Sequence, residues 1–227
     1  MINIAIDGYS GSGKGTLAEG LAKKFKLKHL DTGSILRGMG LYFYEQGILN
    51  PTEKDIEKHI DDFDIKIEFD GKIQKTLLNG KDVSKTIRME QIGQMASRVA
   101  VHQLCMQKVI DVSREFASNY DCVVDGRNIT SAVLPNADVK IFLDADLSCR
   151  AKRRHKENIE KGLESNLEQV SESLKERDYR DTHRDFSPMI VVYDALVIDN
   201  TKLNEQETIE LVSEKVEQKL KELGKIR

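Results

Sequence analysis

The 227-residue sequence predicts an α/β fold: a five-stranded, mainly parallel sheet flanked by helices, with a small inserted antiparallel β lobe and a helical lid. Three observations carry this expectation. Apolar runs of strand length alternate with segments of helical periodicity, the pattern of a parallel sheet covered by helices. The first run, residues 2–6, ends in a glycine-rich turn, after which Leu17, Leu21 and Phe25 recur at helical spacing. Residues 65–83 depart from the alternation: Ile65, Ile67 and Phe69 are interleaved with polar residues, and Asp70-Gly71 and Asn79-Gly80 are tight-turn pairs.

In chain order, the strand at 2–6 is followed by a short strand ending at Leu30-Asp31. Thr52-Glu53-Lys54-Asp55 resembles a capping box opening a helix, and the antiparallel meander comes next. Ile92, Met95, Val99, Met106, Ile110 and Phe116 mark one long helix with a single apolar stripe. Strands are expected at 122–125, 139–143 and 196–199, with Arg150, Arg153 and Arg154 on one helix and a second helix at 167–176. There is no internal repeat or low-complexity linker.

A net charge of −3 gives no basic field that would recommend nucleic acid or an anionic membrane. No apolar stretch approaches the roughly 18 residues of a membrane span. The sequence opens directly on a strand, without a basic leader. Cys105, Cys122 and Cys149 are scattered and show no C-x-x-C spacing, so a reducing cytoplasm is the expected compartment.

The glycine-rich turn carries the first chemistry. Gly8, Gly11 and Gly13 allow positive φ, so successive N–H groups can line a concave nest at a helix start, with Lys14 as a cation. That suits a polyphosphate. The pattern G-x-x-x-x-G-K-[ST] is displaced by one place, because Gly15 precedes Thr16. The alternative is a surface turn with a solvated lysine, which the strand before it and the helix after it disfavour.

Three further clusters follow. Asp31-Thr32-Gly33-Ser34-Ile35-Leu36-Arg37 spans a strand end and a helix start. Its hydroxyls and arginine suit a second phosphate, and capping by Thr32 or Ser34 suits the same residues. An apolar strand delivers Asp125 and Arg127 to its C-terminal edge, where open α/β sheets bind ligands. Asp125 fits a magnesium-water contact and Arg127 a bidentate phosphate grip, while a buried pair of the two fits equally. Arg177, Arg180, Asp181 and Arg184 follow the helix at 167–176. Such charges commonly form a solvated face, but beside a phosphate loop Arg177, Arg180 and Arg184 suit a mobile cover. For Lys152, His155 and Lys156 the two readings stand level.

Along nearly its whole length the sequence resembles the bacterial cytidylate kinases, P-loop nucleoside-monophosphate kinases. The resemblance is carried by Asp7-Gly8 through Gly13-Lys14-Gly15-Thr16, Asp31-Thr32-Gly33, Ile87-Arg88, Ala96-Ser97, Asp125-Gly126-Arg127, residues 139–145, Glu176-Arg177-Asp178 and Arg180-Asp181. It implies γ-phosphoryl transfer from ATP to CMP or dCMP with Mg2+. It further implies that Gly8, Tyr9, Ser10, Gly11, Ser12, Gly13, Lys14, Gly15 and Thr16 bind ATP, with Arg154. Arg37 and Arg127 would hold the CMP phosphate beside Thr32, Ser97 would touch the cytosine and Asp181 the ribose. Lys14, Arg127, Arg177 and Arg184 would be the catalytic cations, and Thr16 and Asp125 the magnesium contacts, directly or through water. The implied division is one kinase domain: a core at about 1–36, 91–150 and 186–227, an acceptor-binding insert at about 37–90 and a lid at about 151–185. The implied partners are ATP and CMP or dCMP, with no nucleic acid or membrane, in a cytoplasmic monomer.

Two positions depart from the family pattern. Met106 stands where an arginine is expected to face the base, with Arg98 and His102 as candidate substitutes. Asn128 replaces an aspartate, and its amide carbonyl suits a cytosine amino group. These departures keep open a kinase for UMP or AMP. A non-catalytic nucleotide-binding regulator is a further alternative.

Overall fold

The computed structural model describes residues 1–71 and 73–226; Lys72 in the expected insert and Arg227 at the end of the expected core lie outside it. Strand β1 (Asn3–Gly8) leads into α1 (Lys14–Phe25), β2 (Lys28–Asp31) into α2 (Gly33–Glu45), and α3 (Glu53–His59) follows. A meander of β3 (Ile65–Asp70), β4 (Ile73–Leu78) and β5 (Lys81–Asp82) precedes α4 (Glu90–Val99) and α5 (Gln103–Asn119). Then come β6 (Cys122–Gly126), β7 (Val139–Asp144), α6 (Leu147–Glu160), α7 (Leu167–His183), β8 (Leu196–Asp199) and α8 (Glu205–Glu222).

The main sheet has the order β2-β6-β1-β7-β8, and every pairing in it is parallel. Its central strand shows why. Ile4, Ala5 and Ile6 are all fully buried, as a strand covered on both faces requires. Side chains alternate between faces, so Ile4 and Ile6 pack with Leu17 and Leu21 of α1 and Val212 and Val216 of α8. Ala5 packs on the other face with Ile110 and Phe116 of α5. A third apolar cluster joins α2 to α4 and the meander through Met39, Phe43, Ile65, Leu78 and Ile92.

The meander forms as expected, a three-stranded antiparallel sheet in the order β3-β4-β5. Asn79 (φ 50°) and Gly80 (φ 78°) both take the left-handed region that a two-residue hairpin turn needs. The Thr52–Asp55 capping box is also present, with both reciprocal hydrogen bonds made.

Two helical expectations are corrected. The long helix is divided, because residues 100–102 separate α4 from α5 and His102 is extended (φ −84°, ψ 129°). The His102 ring is drawn away to the Glu53 carboxylate (2.6 Å) and the Pro51 carbonyl (3.1 Å), tertiary contacts that no periodicity records. The helix expected at 167–176 runs on to His183, so Arg177, Arg180 and Asp181 lie on α7 itself. Its last turns bury charge at Asp181 instead of apolar side chains, which erased the stripe that would have announced them.

Candidate active site

The C-terminal end of β1 and the start of α1 enclose the loop. A Cβ on Gly8 would come within 2.2 Å of the Leu143 carbonyl oxygen, so only glycine lets β1 turn there. Gly11 (φ 77°) and Gly13 (φ 91°) complete the curl, and Gly13 starts α1 without a side-chain cap. The first N–H groups of α1 are therefore left for a ligand. The loop is braced from behind. Arg150 donates to the Ser10 carbonyl (3.0 Å) and pairs with Asp178 (2.6 Å), which in turn accepts the Ser10 N–H (3.1 Å). Arg153 and Asn200 both donate to the Ser12 carbonyl (3.3 and 3.0 Å). Arg150 and Arg153 thus shape the loop and leave its front face clear.

In front of the loop lies a cleft of about 470 Å³. Its walls include Ser10, Gly11, Gly13, Lys14, Gly15 and Thr16 of the loop, together with Arg154. Gly8, Tyr9 and Ser12 belong to the loop but stand behind that wall, Tyr9 packing edge-on to Phe142. The Lys14 ammonium donates to the Tyr9 carbonyl (3.2 Å), and its pKa is held well below the usual lysine value by burial and the nearby Arg127.

Opposite the loop, β2 and β6 bring their ends together in register, Asp31 beside Asp125. Neither hydroxyl of the following turn caps α2. Thr32 Oγ1 donates to the Asp125 carbonyl (2.8 Å) and Ser34 Oγ to the Asp31 carbonyl (2.7 Å). Arg37 and the exposed Arg88 both reach Asp31 Oδ2, at 3.5 and 3.6 Å. Asp125 does not pair with Arg127: it meets His29 at 2.7 Å, while Arg127 pairs with Asp181 of α7 at 2.8 Å. Burial opposes charge on His29, but Asp125 beside it outweighs that effect and raises the imidazole pKa.

At the far end of the cleft stand Ser97, Met106, Asn128 and Arg184. Arg184 Nη1 lies 3.5 Å from the Met106 sulfur. The two candidate substitutes for a base-facing arginine are both engaged elsewhere: Arg98 donates to the Leu49 carbonyl and His102 is held by Glu53. Arg180 points away from the cleft, into an exposed groove beside Tyr179.

Among the described residues, seven lysine or arginine side chains face this cleft against five carboxylates. Asp31, Asp125, Asp181 and Glu157 are already engaged with Arg37, His29, Arg127 and Arg154. Among the described residues, Lys14, Arg177 and Arg184 have no carboxylate partner. Burial, reinforced by Arg127, pushes the Arg177 pKa down to about 9. Ser97 Oγ, Arg177 Nε and Arg184 Nη2 are buried with no hydrogen-bond partner. Unsatisfied donors and unpaired cations converging on one cleft describe a site built for an anionic ligand.

The model of the cytidylate kinase family matches residues 4–218. This chain belongs to the cytidylate kinase family. A cytidylate kinase of Fusobacterium nucleatum is 39% identical, over 95% of this chain and 97% of its own length. One from Caldicellulosiruptor saccharolyticus is 38% identical over 94% of each. The crystal structure of an uncharacterized protein from Eubacterium ventriosum covers 96% of this chain and 99% of its own at a TM-score of 0.53 and 14% identity, a likeness of fold alone.

Sequence reasoning did not single out His29 and Arg88 in the wall of this cytidylate kinase family cleft, or Asp7 outside that wall. His29 is a lone histidine on a short strand, with no spacing to mark it. Arg88 was visible only as part of a family segment, and it reaches the wall by way of a short 3₁₀ turn after the meander. Asp7 is fully buried under the cleft floor and accepts from the Ile129 N–H (2.7 Å), the Thr130 N–H (2.8 Å) and the Thr130 hydroxyl (2.6 Å). It thereby anchors the single turn of π-helix at Ile129–Val133 directly after Arg127 and Asn128.

Proposed function

We propose that this chain transfers the γ-phosphoryl group of ATP to CMP or dCMP, giving ADP and CDP or dCDP, by direct in-line transfer. The observation that carries the reading is the convergence of Lys14, Arg37, Arg127, Arg177 and Arg184 on one cleft floored by the glycine-rich loop. In this reading the loop amides and Lys14 hold the β- and γ-phosphates, with Arg154 at the side. Arg37, Arg127 and Thr32 hold the acceptor phosphate, Ser97 and Asn128 meet the base, and Asp181 meets the ribose. Residues 37–90 act as the acceptor-binding lobe and residues 151–185 as the lid.

The acceptor is already an anionic phosphate oxygen, so the chain needs no strong general base. Its work is to align two phosphates that repel each other and to balance charge as it moves. Arg177 and Arg184 suit that task, since both enter the cleft as cations unmatched by carboxylates and are depressed in pKa by burial. Asp181, on the same cleft wall, orients Arg127 through their 2.8 Å pair.

Mg2+ fits the donor set in a limited way. Among the described residues no cluster of three metal-type ligands exists, as suits an ion that keeps waters and is held chiefly by substrate phosphates. Thr16 and Asp125 would hold it, Asp125 through the oxygen that His29 leaves free. Bound there, it would supply positive charge to neutralise the phosphate oxygens.

The test is to incubate the protein with Mg-ATP and each nucleoside monophosphate in turn and measure ADP release. Release with CMP and dCMP is expected. Release only with UMP or AMP would reassign the acceptor, and silence with all would leave a nucleotide-binding regulator. The same reading makes the enzyme a cytoplasmic monomer, to be seen as a single 25.8 kDa species in sedimentation.

A further inference from the structure

Asn200 lies in the turn between β8 and α8, 188 residues from Ser12 of the loop, and is buried. Its carboxamide is bonded at both ends. Nδ2 donates to the Ser12 carbonyl at 3.0 Å, and Oδ1 accepts from Arg153 Nη1 at 3.1 Å. A carbonyl only accepts and a guanidinium only donates, so these two partners fix which end of the amide is which. Arg153 Nη1 also reaches the Ser12 carbonyl, at 3.3 Å, so one peptide oxygen of the loop receives two donors. The backbone of Asn200 is held as well: its N–H donates to the Asp144 carbonyl (3.0 Å), and its carbonyl accepts from Arg153 Nη2 (2.8 Å).

That grip falls on a peptide with little orientation of its own. Turning the Ser12–Gly13 peptide plane over changes chiefly ψ of Ser12 and φ of Gly13. Gly13 has φ 91°, and glycine takes the opposite sign about as readily. A trans peptide sets its C=O and N–H on opposite sides. Drawing the Ser12 oxygen back to Asn200 and Arg153 therefore turns the Gly13 N–H toward the cleft, whose wall includes Gly13 and not Ser12. None of the described residues accepts that N–H. Turned over, the same peptide would set a carbonyl oxygen against a bound phosphate.

We propose that Asn200 is a positioning residue for the donor polyphosphate: with Arg153 it selects the orientation of the Ser12–Gly13 peptide in which the Gly13 N–H, and not the Ser12 oxygen, meets the phosphate. The inference rests on the ATP-binding role given to the loop above. The two gripping residues differ in one respect. Arg153 makes four hydrogen bonds, all to uncharged oxygens of Ser12, Asn200 and Leu203, so it brings a positive charge behind the loop as well as a grip. Asn200 is neutral and contributes the grip alone.

The test compares calorimetric binding of ATP, without acceptor or metal, with binding of CMP in the wild type and in Asn200→Ala. The variant changes no charge at the loop. The Kd for ATP is expected to rise about tenfold, as for loss of one hydrogen bond to a charged acceptor, and that for CMP by less than about twofold. The Gly13 N–H resonance in ¹⁵N-glycine-labelled protein gives a readout that a merely structural role would not move. Added ATP is expected to shift it downfield in the wild type, as a hydrogen bond to phosphate does, and to leave it nearly in place in the variant. Should Asn200→Ala fail to fold, Asn200→Ser, which keeps a polar group but no amide, carries the same comparison. Unchanged ATP affinity, equal losses for ATP and CMP, or the same Gly13 shift in both proteins would overturn the inference alone. A wild type that binds no ATP would overturn this inference and the assignment of the loop to ATP together.

Discussion

At the end of the cleft we assign to ATP, the loop of residues 8–16 is shaped by backbone: glycines that permit its curl and carbonyls gripped from behind by Arg150, Arg153 and Asn200. The base end is made of side chains delivered by separate elements, Ser97 from α4, Met106 from α5, Asn128 after β6 and Arg184 after α7. A backbone-built grip serves any polyphosphate, whatever nucleoside carries it. Discrimination between acceptors is left to the side-chain end, where the unsatisfied atoms Ser97 Oγ and Arg184 Nη2 also lie.

The largest effect is expected at Lys14, which belongs to the loop and also carries a charge. Lys14→Ala should lower turnover by about 10² to 10³, by analogy with loss of a single oxyanion donor. ADP release measures it, and near-normal turnover would break the mechanism. Arg127→Ala comes next. Losing one charge-assisted phosphate contact corresponds to about 1.5–3 kcal/mol, so kcat/KM for the acceptor should fall by roughly 10- to 100-fold while ATP affinity holds. Lost ATP affinity with normal acceptor affinity would reverse its assignment.

Arg150→Ala sharpens the contrast from behind the loop. The KM for ATP should rise about tenfold while that for CMP stays level. Thermal unfolding should also show a loss of about 3–5 kcal/mol, because Asp178 is left without its 2.6 Å partner. A rise in both KM values would mean that the brace serves the whole cleft and not the loop. The smallest effect is protonic. The Lys14 pKa is depressed in the free protein, chiefly by burial, and bound phosphate raises it. Between those two values binding must take up protons, so ATP titrations at a series of pH values from neutral into the alkaline range, in buffers of different ionisation enthalpy, should show fractional uptake. Release of protons would contradict the sign, and Lys14→Ala should abolish the uptake.

The same contrast explains what the sequence made legible. Sheet strands, the meander with its Asn79-Gly80 turn, and the Thr52 capping box follow local rules of alternation and turn chemistry, and all could be read ahead. The loop was readable because glycine and lysine at fixed offsets report a backbone shape. What escaped depends on contacts distant in sequence. The break at His102 is drawn by Glu53, the partner of Asp125 is His29 and not Arg127, and the hydrogen-bond partner of Asn128 is Ser187. Arg150 and Arg154 lie on one helix four residues apart, yet one braces the loop and the other faces the cleft, a distinction that rests on helix placement alone.

The central claim is that the loop and the side-chain end hold two nucleotides at once, phosphate to phosphate, in a single cleft. Calorimetric titration with adenosine and cytidine joined through five phosphates tests it most directly. The account predicts one molecule bound per chain, at least about 10²-fold tighter than ATP or CMP alone, because the second half binds at high effective concentration. Binding no tighter than ATP alone would contradict it.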